Sequence, residues 1–218
     1  MKSIFEIVRY HVEKTPADRP VLIGIDGTDG SGKSRFAANL ASKFKSHTDR
    51  HVVQSSIDFF HNPKSVRHQD CKQKYVSFFE DSFNYPALKE KLLDPIKYQS
   101  GKPFCRKHFD HQIDREVDCP IEIASSNILL IFEGIFLHRD EIKEYWDFSV
   151  YLDVPFNETF RRMAERDGCS PDPTCESNAR YYQGQKLYID TCNPKKRASM
   201  IVDNTDYCNP FVIEQNLV

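Results

Sequence analysis

The residues best suited to chemistry in this chain form a glycine-rich loop that ends in a lysine and a serine. Residues 27–34 fit the pattern G-x-x-x-x-G-K-[ST] without a mismatch. Glycines at these positions let backbone N–H groups surround a polyphosphate, and a helix that starts there favours negative charge. The residues expected to bind ATP in this loop are Gly27, Thr28, Asp29, Gly30, Ser31, Gly32, Lys33 and Ser34.

The segments on either side of this loop decide between a phosphate site and a plain turn. Residues 21–26 are almost all apolar and predict a buried strand, and residues 35–41 predict a helix. A strand, a glycine loop and a helix in this order are the context that the motif requires. We therefore expect ATP or GTP in the loop, with Lys33 at the β- and γ-phosphates and the Ser34 hydroxyl on Mg²⁺.

Strand-like and helix-like segments alternate along the rest of the chain, which predicts an α/β fold. Strands are predicted at residues 51–57, 127–132, 148–152 and 199–202, the last of these being the final strand of the chain, and helices at 3–12, 34–46, 75–83, 87–98, 139–146, 158–166 and 179–189. Alternation of this kind predicts a P-loop NTPase-type parallel sheet with helices on both faces. We expect one domain over residues 1–218, with an arm at 104–118 and a lid loop at 168–178.

Composition excludes several classes of partner. The net charge is −2, and no basic stretch is interleaved with aromatic residues, so we expect no nucleic acid partner. No apolar run approaches the roughly 20 residues of a membrane span, and the first residues are too polar for a signal peptide. The seven cysteines show no C-x-x-C spacing, which favours reduced thiols and a cytoplasmic location over a zinc site.

Two carboxylates lie where predicted strands end, beside the glycine loop. Asp58 follows the second strand and is our candidate general base; the alternative is that it only caps the next turn. Its apolar neighbours Ile57 and Phe59 would make an idle charge costly, which favours the base. Glu133 follows the strand at 127–132 and could hold Mg²⁺ together with Ser34, or could instead bond a neighbouring loop.

Neutralisation of the transferring phosphoryl group requires cations near the loop. Arg162 and Arg166 lie four residues apart on one face of a predicted helix, just before the predicted lid loop. Arginines that arrive on a closing lid stabilise the moving phosphoryl group and exclude water. The alternative is a solvated basic helix face.

Five sequence blocks, in fixed order, carry a resemblance to a known family. They are residues 24–34, 56–60, 82–86, 131–136 and 152–155, the last of these running on to 166–167. Together they resemble the uridine kinase (uridine–cytidine kinase) branch of the P-loop kinases, which includes phosphoribulokinase-like enzymes. The resemblance implies transfer of the ATP γ-phosphate to the 5′-hydroxyl of a nucleoside, uridine or cytidine, with Mg²⁺. It also implies a homo-oligomer as one state of the chain.

The resemblance assigns roles to individual residues. It makes Asp58 the base, places Ser34, Asp58 and Glu133 at the metal, and puts Arg162 and Arg166 in the lid. It places the segment 203–206 near the adenine. The further site residues implied are Asn204 and Asp206 for ATP, and Asn84, Tyr85, Phe109, Asp114 and Arg115 for the acceptor.

The acceptor half of the chain departs from that family. Residues 83–86 read Phe-Asn-Tyr-Pro where uridine kinases have Phe-Asp-His-Pro, and Asp114 stands where the family has a base-reading histidine. The block at 180–185 suggests a distinct subgroup. These departures leave open a kinase for another small hydroxyl compound, including a phosphorylated one that Arg106, Lys107, His108 and Arg115 could bind.

A nucleotide-dependent ATPase or switch is the alternative from a different class. The chain has no guanine-reading Asn-Lys-x-Asp pattern, and a switch has no use for an acceptor arm. Hydrolysis of ATP without any acceptor distinguishes the two classes, because a kinase should be slow until a hydroxyl compound binds.

Overall fold

The computed structural model describes residues 3–68 and 71–216, which form a central sheet with helices on both faces. Its strands are β1 (Val21–Gly27), β2 (His51–Ser56), β3 (Pro103–Phe104), β4 (Phe109–Asp110), β5 (Arg115–Glu116), β6 (Glu122–Ile123), β7 (Ile128–Glu133), β8 (Phe148–Asp153), β9 (Met200–Asp203) and β10 (Phe211–Gln215). Its helices are α1 (Ile4–Lys14), α2 (Lys33–Lys45), α3 (Lys64–Arg67), α4 (Lys74–Asp81), α5 (Tyr85–Leu88), α6 (Asp94–Tyr98), α7 (Phe156–Asp167), α8 (Ala179–Cys192) and α9 (Pro194–Arg197).

The main sheet has the strand order β10-β9-β8-β1-β7-β2. Its strands β1, β2, β7, β8 and β9 run parallel. β1 and β7 are buried at every position, which explains their nearly continuous apolar sequences. The predicted α/β fold is therefore confirmed. Because parallel strands end at the same edge, the loops after β1, β2 and β7 meet at one crevice.

The structure corrects two sequence-based predictions. The predicted helix at 139–146 is wrong: only Lys143–Tyr145 form a short 3₁₀ turn. Its side chains are anchored in different directions, since Arg139 donates to the Phe79 carbonyl and Trp146 Nε1 donates to the Leu137 carbonyl at 2.8 Å. The strand at 199–202 is also not the last one, because β10 adds to β9 as an antiparallel edge strand.

A buried polar network fixes the end of β1 just before the glycine loop. Asp26 is fully buried and lies 2.6 Å from Nδ1 of His138, and it accepts a hydrogen bond from the hydroxyl of Tyr188. His138 Nε2 in turn lies 3.0 Å from the Ser149 hydroxyl on β8. Because buried polar groups are costly when unpaired, this network ties β1, β8 and α8 into one arrangement. The glycine loop therefore starts from a rigid base.

The described helices include none that is long and apolar enough to cross a membrane.

Candidate active site

The glycine loop between β1 and α2 adopts a conformation that only glycines allow. Gly30 and Gly32 have φ values of 76° and 91°, in the left-handed region. A Cβ on Gly30 would lie 2.4 Å from the Thr159 carbonyl oxygen, and one on Gly32 would lie 2.6 Å from the Tyr207 ring. The loop is thus closely packed against α7 and against the segment after β9, in a fixed shape.

Polar groups inside the loop lack partners, as expected of a site built for phosphate. The hydroxyls of Thr28 and Ser31 are buried without a hydrogen-bond partner among the described residues. Lys33 is buried, and its ammonium group donates to the Thr28 carbonyl at 2.9 Å. Buried polar groups without partners cost stability, so these atoms fit a ligand with several acceptor oxygens. A polyphosphate satisfies that requirement.

The predicted metal residues Ser34 and Glu133 lie together. The Ser34 hydroxyl at the start of α2 donates to Oε1 of Glu133 at 3.1 Å. Burial raises the pKa of the Glu133 carboxyl, and the charge of Lys33 opposes that rise. Among the described residues no group of three or more His, Cys, Asp or Glu side chains is arranged to hold a metal. The pair still suits Mg²⁺, which keeps several waters and takes its other ligands from phosphates.

Asp58 lies in the 3₁₀ turn Ile57–Phe60 directly after β2, with its side chain open to the crevice. The cap of this turn is Ser56, whose hydroxyl accepts from the Asp58 N–H at 3.2 Å, so the Asp58 carboxylate is not needed as a cap. Desolvation by the surrounding protein raises the pKa of Asp58, and the negative charge of Asp29 acts in the same direction. A raised pKa on a carboxylate in a cleft is typical of a general base.

Arg162 is buried and joins three segments around the glycine loop. Its guanidinium donates to Glu158 at 2.8 Å, to the Gly30 carbonyl at 3.2 Å, and to the carbonyls of Asn204 and Thr205 at 3.1 and 2.7 Å. It also lies 3.8 Å from the centroid of the Tyr207 ring. Because four of its five N–H donors are bonded to protein groups, Arg162 does not lie on a solvated helix face; its role in the lid stays a prediction.

Arg166, one turn further along α7, is exposed and pairs with Asp167. It borders the phosphate cavity, and its charge opposes the rise in the pKa of Asp58. It is therefore free to approach a bound phosphate, and its role in the lid stays a prediction. The loop that follows is folded on itself, since Asn178 donates to the carbonyls of Ser170 and Asp172.

The predicted adenine-side residues lie beside the loop in different settings. Asn204 is buried and donates to the Ser31 carbonyl at 2.7 Å, whereas Asp206 is exposed and accepts from the Cys208 N–H within its own turn. Tyr207, directly after Asp206, was missed from the sequence. Its ring contacts Arg162 and lies 5.1 Å from the Arg35 guanidinium, at the rim of the phosphate cavity.

Two of the predicted acceptor residues have structural roles at the start of α5. The Asn84 side chain accepts from the Ala87 N–H at 3.0 Å and so caps the helix. Tyr85 is buried, and burial raises the pKa of its hydroxyl far above the ordinary value. Contact of either residue with an acceptor stays a prediction.

The other predicted acceptor residues lie on the hairpin of β4 and β5. Phe109 is only 3% exposed, so little of its ring remains for a ligand. Asp114 has a φ of 54° in the hairpin turn and accepts from the Lys64 N–H at 2.9 Å, while Arg115 is exposed. The hairpin is thus attached to α3 through Asp114.

The cluster that could have bound a phosphorylated acceptor is paired internally. Arg106 makes two hydrogen bonds of 2.5 Å to Glu122, and Lys107 donates to Asp110 at 2.8 Å. His108 is buried, with its pKa lowered by burial. Arg106 and Lys107 are therefore already paired with carboxylates, whereas Arg115 is exposed.

Two adjoining cavities define the site. The phosphate cavity, of about 540 Å³, lies over the glycine loop and extends to Glu133, Arg162 and Tyr207. The inner acceptor cavity, of about 250 Å³, is lined by Asp29, Asp58, His61, Arg67, His68, Phe78, Ser82, Phe83, His111, Ile135, Arg180 and Tyr181. Asp29 and Asp58 border both cavities.

Most of the inner acceptor cavity was missed from the sequence. The only signal for it was the unusual block at 180–185, which starts with Arg180 and also contains Gln185. Gln185 accepts from the Asp29 N–H at 2.6 Å and so attaches α8 to the glycine loop. His61, Arg67 and His111 come from three separate segments, and no spacing in the sequence links them.

A polyphosphate cradle that opens directly onto a second cavity for a small molecule is the arrangement of a P-loop kinase. Residues 22–205 match the model of the phosphoribulokinase/uridine kinase family, and the chain belongs to that family. It is therefore an enzyme, a phosphotransferase with an alcohol acceptor.

Individual relatives differ in the acceptor that their names give. A uridine kinase from Lactobacillus helveticus is 26% identical over 187 residues, covering 85% of this chain and 86% of the relative. A phosphoribulokinase from Synechocystis sp. is 30% identical over 188 residues, covering 81% of this chain and 54% of the relative. These two names alone leave the acceptor of this chain undetermined.

Solved structures share the fold across even greater differences in sequence. A structure described as a possible uridine kinase from Bacillus stearothermophilus has a TM-score of 0.69 at 20% identity, covering 90% of this chain and 96% of that one. D-glycerate 3-kinase from Cryptococcus neoformans has a TM-score of 0.60 at 9% identity, with both chains covered completely. At such identities the likeness shows the fold alone.

Proposed function

We propose that this chain transfers the γ-phosphate of ATP to a hydroxyl group of a small acceptor bound in the inner acceptor cavity. The observation that carries the proposal is the position of Asp58, which borders both the phosphate cavity and the inner acceptor cavity. A group there can contact an acceptor hydroxyl and face the phosphate at the same time. Mg²⁺, held at Ser34 and Glu133, supplies charge neutralisation on the phosphates.

The chain's own residues position the reactants and move one proton. The Asp58 carboxylate accepts the proton of the acceptor hydroxyl while the oxygen of that hydroxyl bonds to the γ-phosphorus. The bond between the γ-phosphorus and the oxygen that bridges to the β-phosphate breaks, which leaves ADP. Lys33 and the loop N–H groups hold the phosphates, and Arg166 at the cavity rim neutralises charge. Glycines fixed against α7 keep these groups in place before the substrate arrives.

Uridine and cytidine are the first acceptors to test. They are the class that the sequence resemblance implies, and the name of the Lactobacillus relative supports them. The nucleoside roles of Asn84, Tyr85, Phe109, Asp114 and Arg115 belong to this version of the proposal. The regions that would then enclose the substrates are the arm at 104–118 and the lid loop at 168–178.

The test is ADP production from Mg-ATP with and without an acceptor panel, in the wild type and in Asp58→Asn. The panel holds uridine, cytidine, purine nucleosides, deoxynucleosides, pantothenate and simple sugars. We expect an acceptor to stimulate turnover and Asp58→Asn to lower kcat by about 10²–10⁴-fold. Asp190→Asn, an exposed carboxylate on α8, is the matched control and should leave kcat unchanged. Acceptor-independent ATP hydrolysis that Asp58→Asn does not lower would instead indicate the ATPase or switch class.

A further inference from the structure

Two arginines and three histidines line the inner acceptor cavity. Arg67, Arg180, His61, His68 and His111 come from the loop after β2, from α3, from the hairpin and from α8, yet all line it. An outer cavity of about 730 Å³ shares Arg67, His68 and Arg180 with it and is also lined by Lys74, Glu176 and Lys72, the last of which pairs with Glu80 and Asp81. A neutral acceptor would not need this arrangement.

Arg180 donates only to neutral groups among the described residues. Its guanidinium donates to the Arg67 carbonyl at 3.0 Å and to Nδ1 of His68, and its Nε–H is buried without a partner among the described residues. Among the described residues, no carboxylate forms a salt bridge with Arg180. A guanidinium with a buried, unpaired N–H is poised for an acceptor atom supplied by a ligand.

The position of Arg180 within α8 points the same way. It lies in the first turn of a 14-residue helix whose first turn has no acidic residue. The positive end of the helix dipole disfavours a cation there and favours an anion. Burial lowers the pKa of Arg180, and the charge of Arg67 adds to the effect. The cation is thus held in an unfavourable place that an anion would stabilise.

The neighbouring groups leave room for such an anion. Arg67 keeps one hydrogen bond of 2.7 Å to the Asn62 carbonyl and a long contact of 3.4 Å to Asp114. His68 lies against Arg180 through its ring nitrogen, so it accepts rather than competes for an anion. The carboxylates that line the inner acceptor cavity, Asp29 and Asp58, also border the phosphate cavity, which Lys33 lines too.

We infer that the acceptor carries an anionic group, a phosphate or a carboxylate, which Arg180 and Arg67 bind while Asp58 faces the hydroxyl. This inference rests on the proposed kinase function and narrows its substrate class. A planar guanidinium fork matches both anions, so the shared chemistry is recognition of a small oxyanion. The cavity volume of about 250 Å³ suits a compact acceptor of this kind.

Matched acceptor pairs that differ by the anionic group test the inference. Mg-ATP turnover is measured with D-ribulose 5-phosphate against D-ribulose, D-glycerate against glycerol, and pantothenate against pantothenol. We expect the anionic member of at least one pair to give the higher kcat/KM, and the identity of that pair separates phosphate from carboxylate. A neutral acceptor, such as uridine, that is used better than every anionic one overturns the inference while the kinase function stands. Loss of ATP without any acceptor, unaffected by Asp58→Asn, defeats the kinase function itself.

Variants of Arg180 connect the preference to the cluster. Arg180→Gln should raise KM for the anionic acceptor by about 10- to 100-fold, because a charge-assisted hydrogen bond is lost, with a smaller change in kcat. Arg180→Lys keeps the charge without the planar fork, so its KM should lie between those of the wild type and of Arg180→Gln. The matched control is Arg9→Gln, which removes an exposed arginine paired with Glu13 on α1. Equal KM values in Arg180→Gln and Arg9→Gln refute the assignment.

A binding measurement settles the matter even if the panel lacks the true acceptor. With β,γ-methylene-ATP and Mg²⁺ filling the phosphate cavity, inorganic phosphate is added and the melting temperature is recorded. We expect phosphate to stabilise the wild type and Arg9→Gln but not Arg180→Gln, by the linkage of binding to folding. No stabilisation of the wild type, or the same stabilisation in Arg180→Gln, overturns the inference.

Discussion

Replacing Arg162 by glutamine should destabilise the fold, in addition to any effect on catalysis. The change removes a guanidinium that is 7% exposed and makes four hydrogen bonds, three of them to backbone carbonyls of the loop and of the segment after β9. Glutamine is too short and has too few donors to replace them. The three carbonyls would lose their donor and Glu158 would keep only Arg161, in surroundings largely closed to water.

The expected magnitude follows from that loss. Breaking a buried, hydrogen-bonded ion pair on one side costs about 3–5 kcal/mol of unfolding free energy. For a chain of this size each kcal/mol lowers the melting temperature by about 2–4 °C. Arg162→Gln should therefore lower the melting temperature by roughly 6–20 °C.

The neighbouring Arg161 provides a matched control. Arg161 also pairs with Glu158, at 2.8 Å, but its side chain is 51% exposed. Exposed ion pairs contribute little, so Arg161→Gln should leave the melting temperature almost unchanged. Thermal unfolding followed by circular dichroism measures both variants. An unchanged melting temperature for Arg162→Gln, with activity lost, would refute the structural role and support a purely catalytic one.

Three further predictions concern the base, the loop packing and the metal. The kcat/KM should fall as the pH drops through the raised pKa of Asp58, because the base must be ionised. Asp29→Asn removes a negative charge that raises this pKa, so it should move the acid limb of the pH–rate profile to lower pH. Gly134→Ala should lower the unfolding free energy by about 1–3 kcal/mol in denaturant titrations, because the added Cβ would lie 2.2 Å from a methyl carbon of Ile57. Adding Ile57→Ala should recover part of this loss of unfolding free energy. No recovery would contradict the clash. Removal of Mg²⁺ with EDTA should abolish phosphoryl transfer, and full activity in EDTA would exclude Ser34 and Glu133 as a metal site.

The phosphate half of the site could be predicted from sequence because its residues are consecutive. Residues 27–34 carry their function in local order, and the strand and helix around them follow from short apolar patterns. Asp58 and Glu133 could be added because each follows a recognisable strand, and parallel strands bring their carboxyl ends together. The family model, which spans residues 22–205, includes all of these residues.

The acceptor half could not be predicted in the same way. Arg67 and Arg180 lie 113 residues apart in sequence and meet only because α3, α4 and α8 pack together. Whether a polar residue is free or already engaged is also a tertiary property. The Arg106 of the arm is paired with Glu122, and Arg162 is engaged by four groups, and neither fact is visible in local sequence.

The segment 139–146, wrongly predicted to be a helix, shows the limit of local periodicity. Its composition is compatible with a helix, but Trp146 lies against β1, where a Cβ on Gly24 would be 2.9 Å from its ring. Contacts of this kind decide the backbone path of a short segment more strongly than helix propensity does. The same holds for β10, whose edge position depends on β9 rather than on its own pattern.

The close contact between α7 and the glycine loop has a consequence for motion. Through Arg162, and through the near approach of Gly30 to Thr159, most of α7 is attached to the phosphate-binding segment and must move with it. The helix ends at Gly168, whose φ is 74° and around whose Cα lies open space. We predict that the proposed lid, residues 168–178, pivots at Gly168 when it closes, and that the conformational entropy lost in each turnover, about 1–2 kcal/mol per ordered residue, is confined to that loop.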